Sequence, residues 1–377
     1  MSAIFELEDI TFAHHQNLKP VMDGFSLKIE EGSHTAILGA NGAGKTTLFY
    51  TLTGVYKPQK GQVLYKGEPL EYTQKGLQRI RSEAAVVLQN PDEQIFCSLV
   101  EEDIAFGPLN LDLPRDVVEE RVDAALKAVR MTPFRKRPLQ QLSGGQRKRV
   151  AIAGALAMQP KVMIMDEPTA GLDPQASMEV IELAEKLSLS GVTVLISTHD
   201  IDIAYRWADV SSVLNHGKIE FTGDSNEFYS NTEMVYRCGL LVPSMFAMNN
   251  DVSTIRGQEP SPYPKNVCEF SAKFCDNVKS GRVLLTPCDQ ECAAEKYEAA
   301  TSDMKDAYTA VYGSDVRYAL TDRNIDIMFD ALDSCMTEAI RGNDSILFYD
   351  RIYKPIVEAQ IERLKGFGFD VDTEVFE

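Results

Sequence analysis

An α/β fold with an antiparallel β edge and a helical insert, followed by a small second α/β domain, is what this sequence predicts. Three observations carry the prediction. A glycine-rich segment, Gly39-Ala40-Asn41-Gly42-Ala43-Gly44-Lys45-Thr46, lies between the apolar run Thr35-Ala36-Ile37-Leu38 and the helix-like stretch Thr47-Leu48-Phe49-Tyr50. A second apolar run, Lys161-Val162-Met163-Ile164-Met165, delivers two adjacent acids, Asp166 and Glu167. After a Pro-, Ser- and Asn-rich stretch at 249–264, strand-like and helix-like segments alternate again.

The 377 residues suffice for two or three domains with cores of their own. At 44% hydrophobic and 25% charged, the composition is that of an ordinary globular protein. The net charge of −18 disfavours a bare nucleic-acid partner. Two basic clusters, Arg135-Lys136-Arg137 and Arg147-Lys148-Arg149, read as solvated or nucleotide-facing surface. No run is long and apolar enough to span a bilayer, and the first residues do not read as a signal peptide. Seven cysteines in a chain of this length do not suggest a disulfide framework, so the expected compartment is cytoplasmic.

From Ile4 to Leu38 the pattern is one of short strands, with Phe25, Leu27 and Ile29 alternating against Ser26, Lys28 and Glu30. Gly61–Tyr65 with the turn Lys66-Gly67 adds a strand and hairpin, which makes the antiparallel edge. The glycine-rich segment fits a phosphate-binding loop: two glycines separated by four residues, then lysine and a hydroxyl residue. Between strand and helix, such a loop aims backbone N–H groups and a helix N-terminus at phosphate. Lys45 reaches the terminal phosphates and Thr46 holds Mg²⁺, so the chain is expected to bind a nucleoside triphosphate.

The strand Ala85-Val86-Val87-Leu88 ends at Gln89, where the chain leaves for a helical region. There Val117, Val118, Val122, Leu126 and Val129 recur at helical spacing. Leu142-Ser143-Gly144-Gly145-Gln146 then opens an apolar helix. Ser143 caps it, and the glycines leave N–H groups uncovered at a second anion-binding helix start. Asp166 and Glu167, at the end of a buried strand, point to different sides and so take different work: Asp166 orients Mg²⁺ through its water shell and Glu167 accepts the proton of an attacking water. The strand Val192–Ser197 ends at Thr198-His199-Asp200, where His199 is either a structural histidine or, beside a phosphate site, a hydrogen-bond donor to a γ-phosphate.

Taken together, the phosphate loop, Gln89, the pentapeptide 142–146, Asp166-Glu167, Gly171-Leu172-Asp173 and His199 resemble, in order and spacing, the nucleotide-binding domain of ABC ATPases, within the P-loop NTPase fold. The resemblance covers about Ile4 to Leu240. It implies ATP and Mg²⁺ as cofactors, with Gly39, Ala40, Asn41, Gly42, Ala43, Gly44, Lys45, Thr46 and Thr47 on the phosphates. Thr46, Gln89 and Asp166 would serve Mg²⁺, and Glu167, His199 and Gln89 hydrolysis. It also implies head-to-tail pairing with a second such subunit, identical or not, whose Ser143, Gly144, Gly145 and Gln146 complete the site. The family places an aromatic ring near His14 to stack on adenine; here the candidates are Phe12, His14 and His15, with His14 at the matching place.

A narrower resemblance, in Gln89–Phe96 and Val100–Pro108, is to the ATPases of energy-coupling factor importers, especially the cobalt and nickel branch. It implies integral membrane partners and a peripheral position on the cytoplasmic face, with a transition metal or a vitamin as cargo. The alternative is a soluble, non-transport ABC ATPase with a regulatory C-terminal domain; a single cassette and an acidic surface count against it.

Boundaries are expected at 1–243 for the nucleotide-binding domain, with its helical subdomain at about 90–158, at 244–264 for a linker, and at 265–377 for an accessory α/β domain. In the last, strands are expected at Arg282–Thr286, Val316–Leu320, Ser345–Tyr349 and Phe369–Asp372. One helical face runs through Ile325, Met328, Leu332, Met336 and Ile340, another through Ile356, Ile361 and Leu364. Cys268, Cys275, Cys288 and Cys292 are either metal ligands or ordinary thiols; no pair has the two-residue spacing of a zinc knuckle.

Overall fold

The computed structural model describes residues 2–15, 19–275 and 279–376, in two compact units divided after Leu241. The first begins with β1 (Ala3–Phe12), β2 (Met22–Glu30), β3 (His34–Leu38), α1 (Lys45–Leu52), β4 (Lys60–Tyr65), β5 (Glu68–Pro69), α2 (Gln74–Glu83) and β6 (Ala84–Val87). A helical insert follows, α3 (Val100–Leu109), α4 (Arg115–Ala128) and α5 (Gly144–Ala157). Then come β7 (Val162–Asp166), α6 (Pro174–Leu189), β8 (Thr193–Ser197), α7 (Ile201–Trp207), β9 (Val210–Asn215), β10 (Lys218–Gly223), α8 (Ser225–Ser230) and α9 (Thr232–Arg237).

Two sheets result. The four-stranded sheet β2-β1-β4-β5 is antiparallel throughout, as the period-two alternation of β2 requires. The six-stranded sheet β10-β9-β3-β8-β7-β6 is parallel except where β10 meets β9. Every residue of β7 and β8 is buried, which explains why those strands read as continuous apolar runs rather than alternating ones. Leu48, Phe49 and Leu52 of α1 join one apolar core with Phe5, Phe25 and Val63 of the first sheet and Ile37, Ile164 and Leu195 of the second. The helix that follows the glycine loop is thus fixed on both sides, each phenyl or leucyl side chain contributing about 1.5–3 kcal/mol of burial.

The second unit contains α10 (Ser244–Arg256), α11 (Val267–Phe274), β11 (Arg282–Cys288), α12 (Ala293–Asp303), β12 (Tyr308–Tyr312), α13 (Ser314–Ala319), α14 (Ala331–Ile340), β13 (Ser345–Asp350), α15 (Lys354–Gly366) and β14 (Asp372–Val375). Its parallel sheet has the order β12-β13-β11-β14. Leu284, Val311, Ile346 and Phe348 pack with Ala293 and Ala300 of α12 and with Val316 and Leu320 on one face. On the other, Cys335 of α14 meets Ser345 at 3.0 Å. The unit is therefore three-layered.

Four expectations are corrected here. The stretch expected as linker at 244–264 carries α10, whose Phe246, Asn249 and Ser253 are buried. Residues 316–320, expected as a strand, fall largely in α13: the Asp350 carboxylate accepts the N–H groups of Asp315 at 3.1 Å and Val316 at 2.7 Å, capping a helix start from 34 residues away. The helical face begun at Ile325 starts only at Ala331, and the strand expected at 369–372 lies at Asp372–Val375. β12 was not anticipated. Among the described residues no group of three or more His, Cys, Asp or Glu side chains could hold a metal. Cys268 and Cys288 are buried, which pushes the Cys288 thiol up to about 12.

Glu83, the last residue of α2, links the two sheets of the first unit. Its carboxylate accepts from the Tyr65 hydroxyl of β4 at 2.8 Å and from Lys66 at 3.2 Å, and pairs with Lys161, just before β7, at 3.0 Å. Burial alone would raise its pKa, but these partners outweigh burial and hold it at about 2. Because the folded value lies below the ordinary 4.5, this contribution to stability is complete above about pH 4.5 and is lost as pH falls toward 2. Glu83→Gln is expected to cost about 1–3 kcal/mol at neutral pH. Denaturant titrations of both proteins should converge as the pH is lowered through that window.

Candidate nucleotide site

The loop between β3 and α1 can follow its path only with glycine at its start. Gly39 has φ +150°, and a Cβ there would lie 2.4 Å from the carbonyl oxygen of Leu214 on neighbouring β9. α1 starts at Gly44 with no side-chain cap and no acid in its first turn, so its first N–H groups have no intrahelical partner and remain available to an anion. Buried Lys45 donates to the Gly39 carbonyl at 2.7 Å and lies 3.7 Å from Oε1 of Glu167. The Thr46 hydroxyl donates to Asp166 Oδ2 at 2.6 Å. A hydroxyl and a carboxylate are the hard oxygen donors that suit a magnesium ion.

Glu167 is 3% exposed. Its Oε2 pairs with His199 Nδ1 at 2.7 Å, whereas its buried Oε1 has no hydrogen-bond partner among the described residues. Ser197, at the end of β8, donates its hydroxyl to Asp166 Oδ1 and accepts the Glu167 N–H at 3.1 Å. One serine thus fixes both acids. The Glu167 backbone has φ +46°, a left-handed conformation that strains a non-glycine residue and persists only where its surroundings over-determine it.

Gln89 is exposed beyond the end of β6. At the start of α5, Ser143 and Gln146 form a reciprocal cap: Ser143 Oγ accepts the Gln146 N–H at 3.3 Å, and Gln146 Oε1 accepts the Ser143 N–H at 3.0 Å. Ser143 and Gly144 are exposed and Gly145 is half-buried. This face of α5 is not joined to the chain's own glycine loop by any hydrogen bond among the described residues. Phe12 is buried and stacks on Tyr56 at 4.7 Å, which makes it core. His14 is exposed and meets both rings edge-on, at 5.3 and 5.4 Å; His15 is exposed as well. Tyr56, with Tyr50 against it, completes an aromatic cluster that sequence reading missed, because neither ring lies near His14 in the chain.

The basic clusters lie at the surface, with Lys136 and Arg137 exposed, except at one residue. Arg135 is bound to Glu101, Glu119 and Asp123. Arg147 pairs with Asp92 and Arg149 with Glu179, each at 2.8 Å. Lys148 is not surface at all: it is 2% exposed, and burial pulls its pKa down to about 8, opposed by the charges of Asp166 and Glu167. Its position between two arginines hid it; the local hint was that Ala151 and Ile152, three and four residues on and so on the same helical face, are apolar and buried.

A helix start left open to anions, with an acid buried beside it at the adjoining strand end, makes the first unit a nucleoside triphosphatase of the P-loop class. Comparison with known proteins carries this further. The family model described as ABC transporter matches residues 22–170. An energy-coupling factor transporter ATP-binding protein EcfA of Methanocaldococcus jannaschii is 47% identical over 240 residues, covering 64% of this chain and 86% of that one. The energy-coupling factor transporter ATP-binding protein EcfA2 of Methanospirillum hungatei is 34% identical over 363 residues, covering 92% of this chain and 89% of the relative, and so extends well into the second unit. Among solved structures, cbiO1 from Clostridium perfringens, described as part of the ABC transporter complex cbiONQ, superposes with a TM-score of 0.56 at 38% identity, over 63% of this chain and 94% of that one. The chain belongs to the energy-coupling factor ATP-binding proteins of the ABC transporter family. It binds ATP and is an ATPase.

Gly39→Ala is expected to destabilise the first unit by about 2 kcal/mol or more through backbone strain and the clash with Leu214. Thermal unfolding would register the loss, and ATP affinity should fall with it.

Proposed function

We propose that this chain powers an energy-coupling factor importer for a transition-metal ion (cobalt or nickel) or a vitamin, from the cytoplasmic face of the membrane. Its partners are a second ATPase subunit and integral membrane subunits. The observation that carries the reading is a pair of exposed rings on the helical insert. Phe96 and Phe106 cross edge to face at 4.6 Å and are 65% and 46% exposed. Exposed apolar groups of this size, held in fixed geometry, suit a protein partner. They are held by Asp103 of α3, which accepts the N–H groups of Phe96 and Cys97 at 2.8 and 3.0 Å. Gln94 ties the same segment back to the sheet through Leu88 and Val86 and to α5 through Ala151. A load on the rings is thereby linked to Gln89. No helix among the described residues is long and apolar enough to cross a membrane, in keeping with a subunit that borrows its membrane partners. The relatives' names and the cbiONQ description support the same assignment.

In this reading, residues 39–47 grip the phosphates and His14 packs on adenine. Thr46, Asp166 and Gln89 hold Mg²⁺, whose charge neutralises that of the phosphates. Glu167 takes a proton from the attacking water on Oε1, the oxygen left without a hydrogen-bond partner among the described residues, while His199 orients Glu167 through Oε2 and would hydrogen-bond the γ-phosphate. Ser143, Gly144, Gly145 and Gln146 of the second cassette close the site. Closure on ATP and opening after hydrolysis move the membrane partner.

Glu167→Gln should slow turnover by about 10²–10⁴-fold and leave ATP bound in a stable dimer. A variant that hydrolyses ATP at the parental rate refutes the assignment of the base. Phe96→Ala with Phe106→Ala should weaken co-purification of integral membrane subunits from detergent extracts by about tenfold or more while sparing basal ATPase activity. Ribosomes or nucleic acid in place of membrane proteins would refute the importer reading.

A further inference from the structure

Lys148 lies in the second turn of α5, and its ammonium sits among three backbone carbonyls: Leu88 at 2.9 Å, Gln89 at 2.9 Å and Glu167 at 3.3 Å. An ammonium has three protons and no acceptor, so these three bonds account for all of them. The carbonyls belong to two separate strand exits, those of β6 and β7, while the lysine belongs to the helical insert. The arginines on either side bind carboxylates instead, Asp92 and Glu179. Arg147 also donates to the Leu142 carbonyl, at 2.8 Å, beside its own helix start, whereas Lys148 reaches the carbonyls of the two strand exits.

One of those carbonyls belongs to the residue with the left-handed φ. Glu167 is held in that conformation by its N–H, which donates to the hydroxyl and carbonyl of Ser197, both at 3.1 Å, and by its carbonyl, which accepts from Ala170 N–H at 3.1 Å and from Lys148. Remove the lysine, and the carbonyl side of the strained peptide keeps a single local bond. The Glu167 carboxylate would then lose part of the constraint that sets Oε1 beside Lys45.

We propose that Lys148 is a positioning residue for hydrolysis: it fastens α5 to the strained Glu167 peptide and to the Gln89 segment, so that rotation of the helical insert sets the orientation of the base. The proposal rests on the reading of Glu167 as that base. It assigns Lys148 no contact with nucleotide, and so predicts an effect on kcat rather than on binding.

The test uses the full chain and MgATP, with Lys148→Met, which keeps length but removes every donor, and Lys148→Gln, which keeps two donors on a shorter arm. Lys148→Met should lower kcat by about 10²-fold, the usual cost of misplacing a reacting group by an ångström, with Lys148→Gln intermediate. KM for ATP should stay within about twofold, and Tm within about 5 °C. In a Glu167→Gln background, followed by single-turnover hydrolysis of radiolabelled ATP, Lys148→Met should add less than about a twofold loss, because the two residues act as one unit. Parental kcat in either variant would overturn the proposal. So would a rise in KM that accounts for the lost kcat/KM, or a loss that persists undiminished in the Glu167→Gln background. Failure of both variants to fold would also overturn it, because it would make the lysine a structural requirement. If Glu167→Gln alone kept full activity, the base assignment would fall instead, a result distinguishable from all of these.

Discussion

Parallel pairing of β3 with β8 and of β8 with β7 is the constraint from which the chemistry of the first unit follows. In that ladder Ser197 stands opposite both Ile37 and Asp166. The glycine loop, the two acids and the histidine therefore leave the sheet at one level, along the edge where parallel sheets collect their ligands. A slip of one residue would turn Asp166 away from Thr46 and carry Glu167 away from Lys45. Ser197 shows how closely the register is used: its single hydroxyl serves Asp166 on one strand exit and the Glu167 N–H on the same exit one residue later.

The helical insert is attached to this sheet in a different way. Its own helices share apolar contacts, with Val118, Val122, Leu126 and Val150 buried. Its polar links outward are Arg130 and Arg149 to Glu179 and Lys148 to two strand exits. Polar links can be exchanged for water or for new partners at small net cost, whereas an interdigitated core cannot. In the proposed cycle the insert would turn as a body while α1 stays clamped between the two sheets. This is the rigid-body repertoire that switching proteins draw on.

What could be read from the chain beforehand was whatever is local. The glycine loop, the buried strands ending at Asp166 and at Ser197, and the cap at Ser143 each announce themselves within about ten residues. What could not be read depends on groups far apart in sequence. Lys148 looks like one of three basic surface residues until Leu88, Gln89 and Glu167 are brought around it. Residues 316–320 alternate like a strand, yet Asp350 caps them as a helix, and the buried Val316 and Leu320 prove to be four apart on one face. Tyr50 and Tyr56 join Phe12 and His14 only through the fold. In the second unit Asn249, near the start of an apparent linker, is buried and donates to the Pro260 carbonyl at 2.8 Å, which composition alone could not foretell.

All seven cysteines are free thiols, and Cys238, Cys268, Cys288 and Cys335 are buried at 1% exposure or less. Inside a core, such a side chain acts as a small, polarizable apolar group, and burial keeps it protonated and unreactive. Neither unit is cross-linked, so a shift in the surrounding glutathione balance has no covalent strut to make or break. The fold's endurance is set by packing and polar contacts alone, and it should be the same in a strongly reducing medium as in a mildly oxidising one.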